Sequence, residues 1–111
     1  MNKRYIPRRG DIVWTDFDPV AGHEQAHRRP ALILSPESFN RHMKLALAAP
    51  ITNRIRKHGF EVKLNQTQTE GVVLCHQART IDYDARGIRF IESAPIEVLD
   101  DALAKVKTLL D

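Results

Sequence analysis

The change of hydrophobic period at Pro95 constrains this chain more than any other feature. Up to residue 91 the apolar residues alternate or run in short blocks. Beyond Pro95, Ile96, Leu99, Leu103, Val106 and Leu110 recur at spacings of three and four, one stripe of a helix. Glu97, Asp100 and Asp101 open that helix and Lys105 and Lys107 close it, as the helix dipole favours. Ahead of it, period two and Gly/Pro punctuation predict short strands at 12–17, 44–49, 60–64, 72–75, 78–81 and 87–91. Ile12 and Trp14 should face one way and Val13, Thr15 and Phe17 the other, and Leu45 and Leu47 should point inward. The continuous run Ala31-Leu32-Ile33-Leu34 predicts a strand covered on both faces. Ser35-Pro36-Glu37 predicts a short helix over 36–42, with Ser35 as N-cap and Pro36 at its first position. Five or more short strands and one amphipathic helix imply a mainly β fold with helices (α+β), a small, strongly bent sheet or barrel closed on one side by the helix.

At 111 residues the expectation is one domain spanning 1–111, because half that length rarely holds a core without disulfides or metals. Apolar residues at 42% and charged residues at 28% belong to a folded chain rather than a disordered one. No apolar run is long enough to span a bilayer, and Met-Asn-Lys-Arg-Tyr lacks the apolar stretch of a signal peptide, so no membrane partner and a soluble, cytoplasmic protein are expected. Cys75 is the sole cysteine, which rules out an intrachain disulfide and a thiolate zinc site and fits a reducing compartment.

The net charge of +3 is unevenly spread. Residues 1–89 hold 15 basic and 9 acidic side chains, a surplus of +6, whereas residues 90–111 hold 2 and 5, a deficit of −3. A basic body with an acidic terminal helix points to a polyanionic partner for the body. Period two breaks down in the eleven residues 19–29, which carry no apolar period. There Gly22-His23-Glu24-Gln25-Ala26-His27-Arg28-Arg29-Pro30 packs two histidines, a carboxylate and two guanidinium groups ahead of the buried strand. Long loops of this kind are often functional. Arg29, forced towards an extended conformation by Pro30, presents a planar fork of donors suited to phosphate oxygens. The alternative is a solvated cluster of loop charges.

These residues resemble a known family. Gly10-Asp11-Ile12-Val13-Trp14, Asp16-Phe17-Asp18-Pro19, Gly22-His23-Glu24-Gln25, Arg29-Pro30-Ala31 and Leu34-Ser35-Pro36 look like the MazF/PemK toxins of bacterial type II toxin–antitoxin pairs. Pro50-Ile51-Thr52, Phe60-Glu61-Val62, Glu70-Gly71-Val72, Gln77 with Arg79, and Asp82 through Arg86 continue the likeness in the same order. The resemblance implies a small SH3-like barrel of the MazF/PemK/CcdB type, a homodimer, and an acidic antitoxin as partner. It also implies a sequence-specific endoribonuclease that cuts single-stranded RNA or mRNA without metal or other cofactor, leaving 2′,3′-cyclic phosphate and 5′-hydroxyl ends. Arg29 and Thr52 match the positions held to be catalytic in the family, and Glu24 matches a carboxylate implicated in activity.

Each assignment has a plainer counterpart. Thr52 can hold a phosphate oxygen or simply cap a strand end, and Glu24 can accept a proton, orient Arg29 or be an exposed ion-pair partner. His23 and His27 read as loop variation or as contributors to proton transfer or base stacking. His76 stands where the family usually has an acidic residue, so a carboxylate-dependent role there is in doubt and altered base recognition becomes an alternative. Asp11, Asp16 and Asp18 could suggest a magnesium site, but their spacing suits turn residues better. Trp14 and Phe17 read as core residues. Arg54, Arg56 and Lys57 follow Thr52 and should form, with loop 19–29, a positive groove for RNA. The candidate RNA contacts are His23, Gln25, His27, Arg28, Arg54, Arg56, Lys57, Gln77, Arg79 and Arg86. A CcdB-like gyrase poison without enzymatic activity, or a noncatalytic RNA-binding barrel, are the competing readings on the same fold.

Overall fold

A computed structural model describes residues 4–16 and 28–111. The elements run β1 (Asp11–Asp16), β2 (Arg28–Ile33), α1 (Glu37–Met43), β3 (Ala46–Thr52), β4 (Glu61–Lys63), β5 (Val72–Leu74), a 3-10 turn (Cys75–Gln77), β6 (Arg79–Ile81), α2 (Tyr83–Arg86), β7 (Arg89–Ser93) and α3 (Ile96–Thr108). The strands form one antiparallel sheet in the order β4-β5-β3-β2-β1-β7, with β6 beside the first half of β3. Strand β3 is the hub. It pairs with β2 on one edge, and on the other with β6 at Ala46–Ala48 and β5 at Ile51–Thr52. Ala49 and Pro50 lie where the 3-10 turn interrupts that second ladder, which is how a proline is tolerated within a central strand.

Both faces of the central strands are buried. Ile12, Leu32, Leu34, Ala49, Ile51 and Val73 pack on one face beneath Val98, Leu99 and Ala102 of α3. Val13, Ala31, Ile33, Ala46, Ala48 and Ile81 pack on the other with Tyr83 of α2. The two-sided strand expected at Ala31 to Leu34 is therefore present, and β1, expected to alternate, is two-sided as well. In β3 the inward positions differ from expectation. Ala46 and Ala48 are fully buried while Leu45 and Leu47 are only partly so, because the sheet is covered closely on both sides and small residues fit the tighter one.

Two helix details are also corrected. Helix α1 begins at Glu37 with Pro36 in the N-cap position and no side-chain cap. The Ser35 hydroxyl is occupied elsewhere, donating to Asn40 Oδ1 and accepting the Leu47 N–H at 2.8 Å. In α3 the buried stripe is Val98, Leu99 and Ala102, edged by Leu103 and Val106, whereas Ile96 and Leu110 are 60% and 84% exposed. The helix is turned so that Ala102 faces the sheet, and Leu110 lies past its end.

The mainly β class with helices holds, but among the described residues the ladder does not close into a barrel; β4 and β7 end it. A side chain spans the opening. Glu92 of β7 accepts the N–H groups of Gln68 and Thr69 at 3.0 and 2.8 Å and the Thr69 hydroxyl at 2.7 Å, clasping the β4–β5 connection. Burial pushes the Glu92 carboxyl up, but these donors outweigh it and hold it below the usual carboxylate range. Cys75 is buried, and burial pushes its thiol up to about 11, so it serves packing rather than chemistry.

Asn40 ties the periphery to this sheet. Fully buried, its Nδ2 donates to the carbonyls of Pro7 at 2.8 Å and Ser35 at 3.1 Å, and its own carbonyl accepts the Tyr83 hydroxyl at 2.7 Å. Asn40→Ala should cost about 2 kcal/mol or more of unfolding free energy in urea titrations, because those buried carbonyls lose their donor.

Candidate nucleic-acid cleft

The register of β2 on β3 brings the two principal candidates together. Ala31 pairs with Pro50, Leu32 with Ala49 and Ile33 with Ala48; carried two residues further, the same register sets Arg29 across from Thr52. On its other side Arg29 pairs with Thr15 of β1. Arg29 lies in β2 just before its buried stretch begins, so its backbone is tied to β1 while its side chain remains half-buried. Thr52 closes β3 with its Oγ1 accepting the Arg54 N–H at 3.1 Å. This is the strand-end cap expected as the plainer role of Thr52, yet it uses only an acceptor site and leaves the hydroxyl proton for an incoming oxygen.

Thr52 is also pressed from behind. A Cβ on Gly71, whose φ is +121°, would meet the Thr52 carbonyl oxygen at 2.3 Å. Only glycine permits both that conformation and that approach.

Two clefts of about 440 and 530 Å³ meet at Arg29, Thr52 and Arg54. The first is lined further by Arg56, His58, Glu61, Leu74, His76 and Gln77. The second is lined by Trp14, Arg28, Pro30, Ile51, Asn53, Thr69 and Glu70. An Arg–Thr–Arg ridge thus divides two compartments, and positive charge runs along both.

Of the sequence candidates, Arg28, Arg29, Thr52, Arg54, Arg56 and Gln77 gather here. Lys57 lies beside the first cleft in a turn, with φ +61° and its N–H donated to Glu61. Arg79 is exposed on β6, and Arg86 donates to the Asp16 carbonyl at 2.9 Å, anchoring the end of β1; neither lines either of these two clefts. Glu24, His23, Gln25 and His27, together with Phe17 and Asp18, lie outside the described residues. The Asp11 carboxylate accepts the Tyr5 hydroxyl and the Arg8 N–H, holding the N-terminal segment.

Trp14, read from sequence as core, is only half-buried and lines the second cleft. Glu61, read as one outward residue of an alternating strand, is the organiser of the first. Its carboxylate accepts the N–H groups of Arg56 and Lys57 at 2.7 and 2.8 Å and lies 3.8 Å from His58 Nε2. Its position a few residues after Arg56-Lys57-His58 was the available signal. Burial pushes the Glu61 carboxyl up, but the two N–H bonds and the nearby His58 and Arg56 charges outweigh that and lower it.

A small two-faced β-sheet carrying a divided, positively charged cleft on its strand ends defines a compact polyanion-handling protein of mainly β fold with helices. Residues 8–110 match the model of a specific family, described as PemK-like, MazF-like toxin of type II toxin-antitoxin system, and the chain belongs to that family. It is 38% identical over 110 residues to the endoribonuclease toxin MazF of Escherichia coli K12, covering 99% of both chains. To the endoribonuclease toxin ChpB of the same strain it is 42% identical over 117 residues, with full coverage of both. Among solved structures, MazF from Deinococcus radiodurans superposes with a TM-score of 0.87 at 41% identity, over 96% of this chain and 98% of that one. A MazE–MazF structure from the same organism matches with a TM-score of 0.88 at 41% identity, over 96% and 97%.

The lowered Glu61 group gives the first cleft a pH dependence of fixed sign. A carboxyl lowered in the folded state contributes stability that is complete above its unfolded pKa and is lost as pH falls through the folded one. The protection factors of the Arg56 and Lys57 amides, taken against their intrinsic exchange rates at each pH, should therefore fall as pH drops below the ordinary carboxylate range, while those of core amides such as Leu32 are kept.

Proposed function

We propose that this chain is the toxin of a type II toxin–antitoxin pair and acts as a sequence-specific, metal-independent endoribonuclease on single-stranded RNA and mRNA, inhibiting translation and growth. The observation that carries the reading is the adjacency of Arg29 and Thr52 on the ridge between two basic clefts. A strand laid across that ridge puts a phosphate beside both side chains and a nucleotide on either side.

The chemistry is an internal transfer. The 2′-hydroxyl oxygen of one ribose bonds to the adjacent phosphorus as the bond to the 5′-oxygen of the next nucleotide breaks. The 2′ proton passes to a base, for which Glu24 is the sequence candidate, and the departing 5′-oxygen takes a proton to become a hydroxyl. Negative charge builds on the nonbridging oxygens in between. A guanidinium carried on a strand beside β1 stabilises that charge more than the ground state, and this is the role of Arg29. Thr52 donates its hydroxyl to one of those oxygens, and Arg28, Arg54 and Arg56 hold neighbouring phosphates. No bond requires an external water or a metal.

The partners follow from the same surface. A basic cleft open to solvent suits an acidic, partly disordered antitoxin segment that orders as it covers Arg29 and Arg54. The similarity to the MazF chain of MazE–MazF structures supports this pairing. A homodimer would extend the small groove across two subunits. No helix among the described residues is long and apolar enough to cross a membrane, and the cytoplasm, where mRNA is met, is the proposed location.

Incubating the purified protein with a transcript in EDTA should give discrete fragments ending in 2′,3′-cyclic phosphate and 5′-hydroxyl. Intact RNA under those conditions, with cutting restored by magnesium, would overturn the metal-independent reading. Arg29→Ala should lower the cleavage rate by about a hundredfold or more, with unchanged circular dichroism and unfolding midpoint. Gly71→Ala should also slow cleavage, through displacement of Thr52, although it touches no substrate.

A further inference from the structure

The ridge between the clefts holds phosphate, but a protein that selects sequence must also hold bases, and bases need ring faces or edge donors. In the first cleft two exposed rings stand together, His58 and His76, and His76 is not loosely placed. Its centroid lies 4.7 Å from that of His58 with the rings nearly perpendicular at 85°, and 6.0 Å from Phe60. His58 is itself pinned. Its Nδ1 accepts the Phe60 N–H at 3.2 Å, and its Nε2 faces the Glu61 carboxylate at 3.8 Å. The perpendicular contact leaves at least one face of His76 uncovered by His58. Gln77, the next residue in the 3-10 turn, lines the same cleft with an amide that can both donate and accept.

Resting on the nuclease reading above, we propose that His76 is a specificity-determining residue: a nucleobase flanking the scissile phosphate stacks on its ring, braced by His58, while Gln77 reads that base's edge. Arg29, Thr52 and Arg54 fix the phosphate at the mouth of the cleft, so the base subsite has one register relative to the cut. Glu61 acts through the turn it clamps and is a positioning residue. The second cleft offers the indole of Trp14, which is the only tryptophan in the chain and reports arrival of the strand independently of His76.

The test uses short 2′-O-methyl homo-oligonucleotides of each base, which lack the attacking hydroxyl and stay whole. Binding is followed by Trp14 fluorescence and by the His76 ring protons in NMR. One base should bind more tightly than the rest and shift the His76 ring signals upfield. His76→Ala should weaken that oligonucleotide about tenfold and level the preference, and His76→Phe should restore most of the affinity. Affinities within about twofold of wild type for all bases in His76→Ala, or unmoved His76 signals on saturation, would overturn the subsite. Cut-site mapping on an ordinary transcript separates the two ideas. Preferential binding without cutting would sink the nuclease reading and leave a base-reading cleft. Cutting by His76→Ala with an unchanged base profile around the cleavage site would sink the subsite and leave the nuclease.

Discussion

The pairing of β2 with β3 is the constraint on which the rest of the molecule depends. That ladder joins two strands whose residues are buried on both faces, so a one-residue slip would exchange Ala31 and Ile33 with Leu32 and Leu34 between a face shaped for alanines and one shaped for α3. The register is therefore locked by packing well away from the cleft. Its consequence at the strand ends is the meeting of Arg29 and Thr52, two residues distant in the chain that the register sets across from one another. A core interaction sets the geometry of a surface site.

Two carboxylates then shape the ground on either side. Glu92 clasps the β4–β5 connection from across the sheet opening and so holds Thr69 at the second cleft. Glu61 holds the turn carrying Arg56 and Lys57 at the first. Both accept backbone N–H groups, which favours their ionised form, and both turn backbone donors into fixed walls.

Much of this was legible in the chain itself. Most strands and the terminal helix appeared near where punctuation and period put them, because Gly, Pro and alternation act locally, whereas α2 and the 3-10 turn, four and three residues long, carry too little period to be read. The departures have common causes. Trp14 and Glu61 each sit in a strand whose alternation reads as structural, and only the neighbouring strands reveal that one lines a cleft and the other organises a turn. Ser35 looked like a helix cap because its local context is that of a cap; a buried Asn40 five residues on competes for the same hydroxyl. In α3 the spacing of large residues suggested a stripe through Ile96 and Leu110, but the sheet selects the side with Ala102, where the helix can approach most closely. The expected barrel is an open sheet among the described residues, since closure depends on pairing between strands far apart in sequence.

By itself, then, the sequence determined the class of fold, the sign and place of the charge, and the family, all of which are written in local pattern and residue type. The tertiary structure decided which of the candidate residues share a cleft. It drew Arg28, Arg29, Thr52, Arg54, Arg56 and Gln77 to one place, set Arg79 and Arg86 elsewhere, and added His58, Glu61 and Trp14. The reason is physical: composition and period are properties of neighbouring residues, whereas adjacency across strands is set by register, and register is chosen by the packing of the whole core.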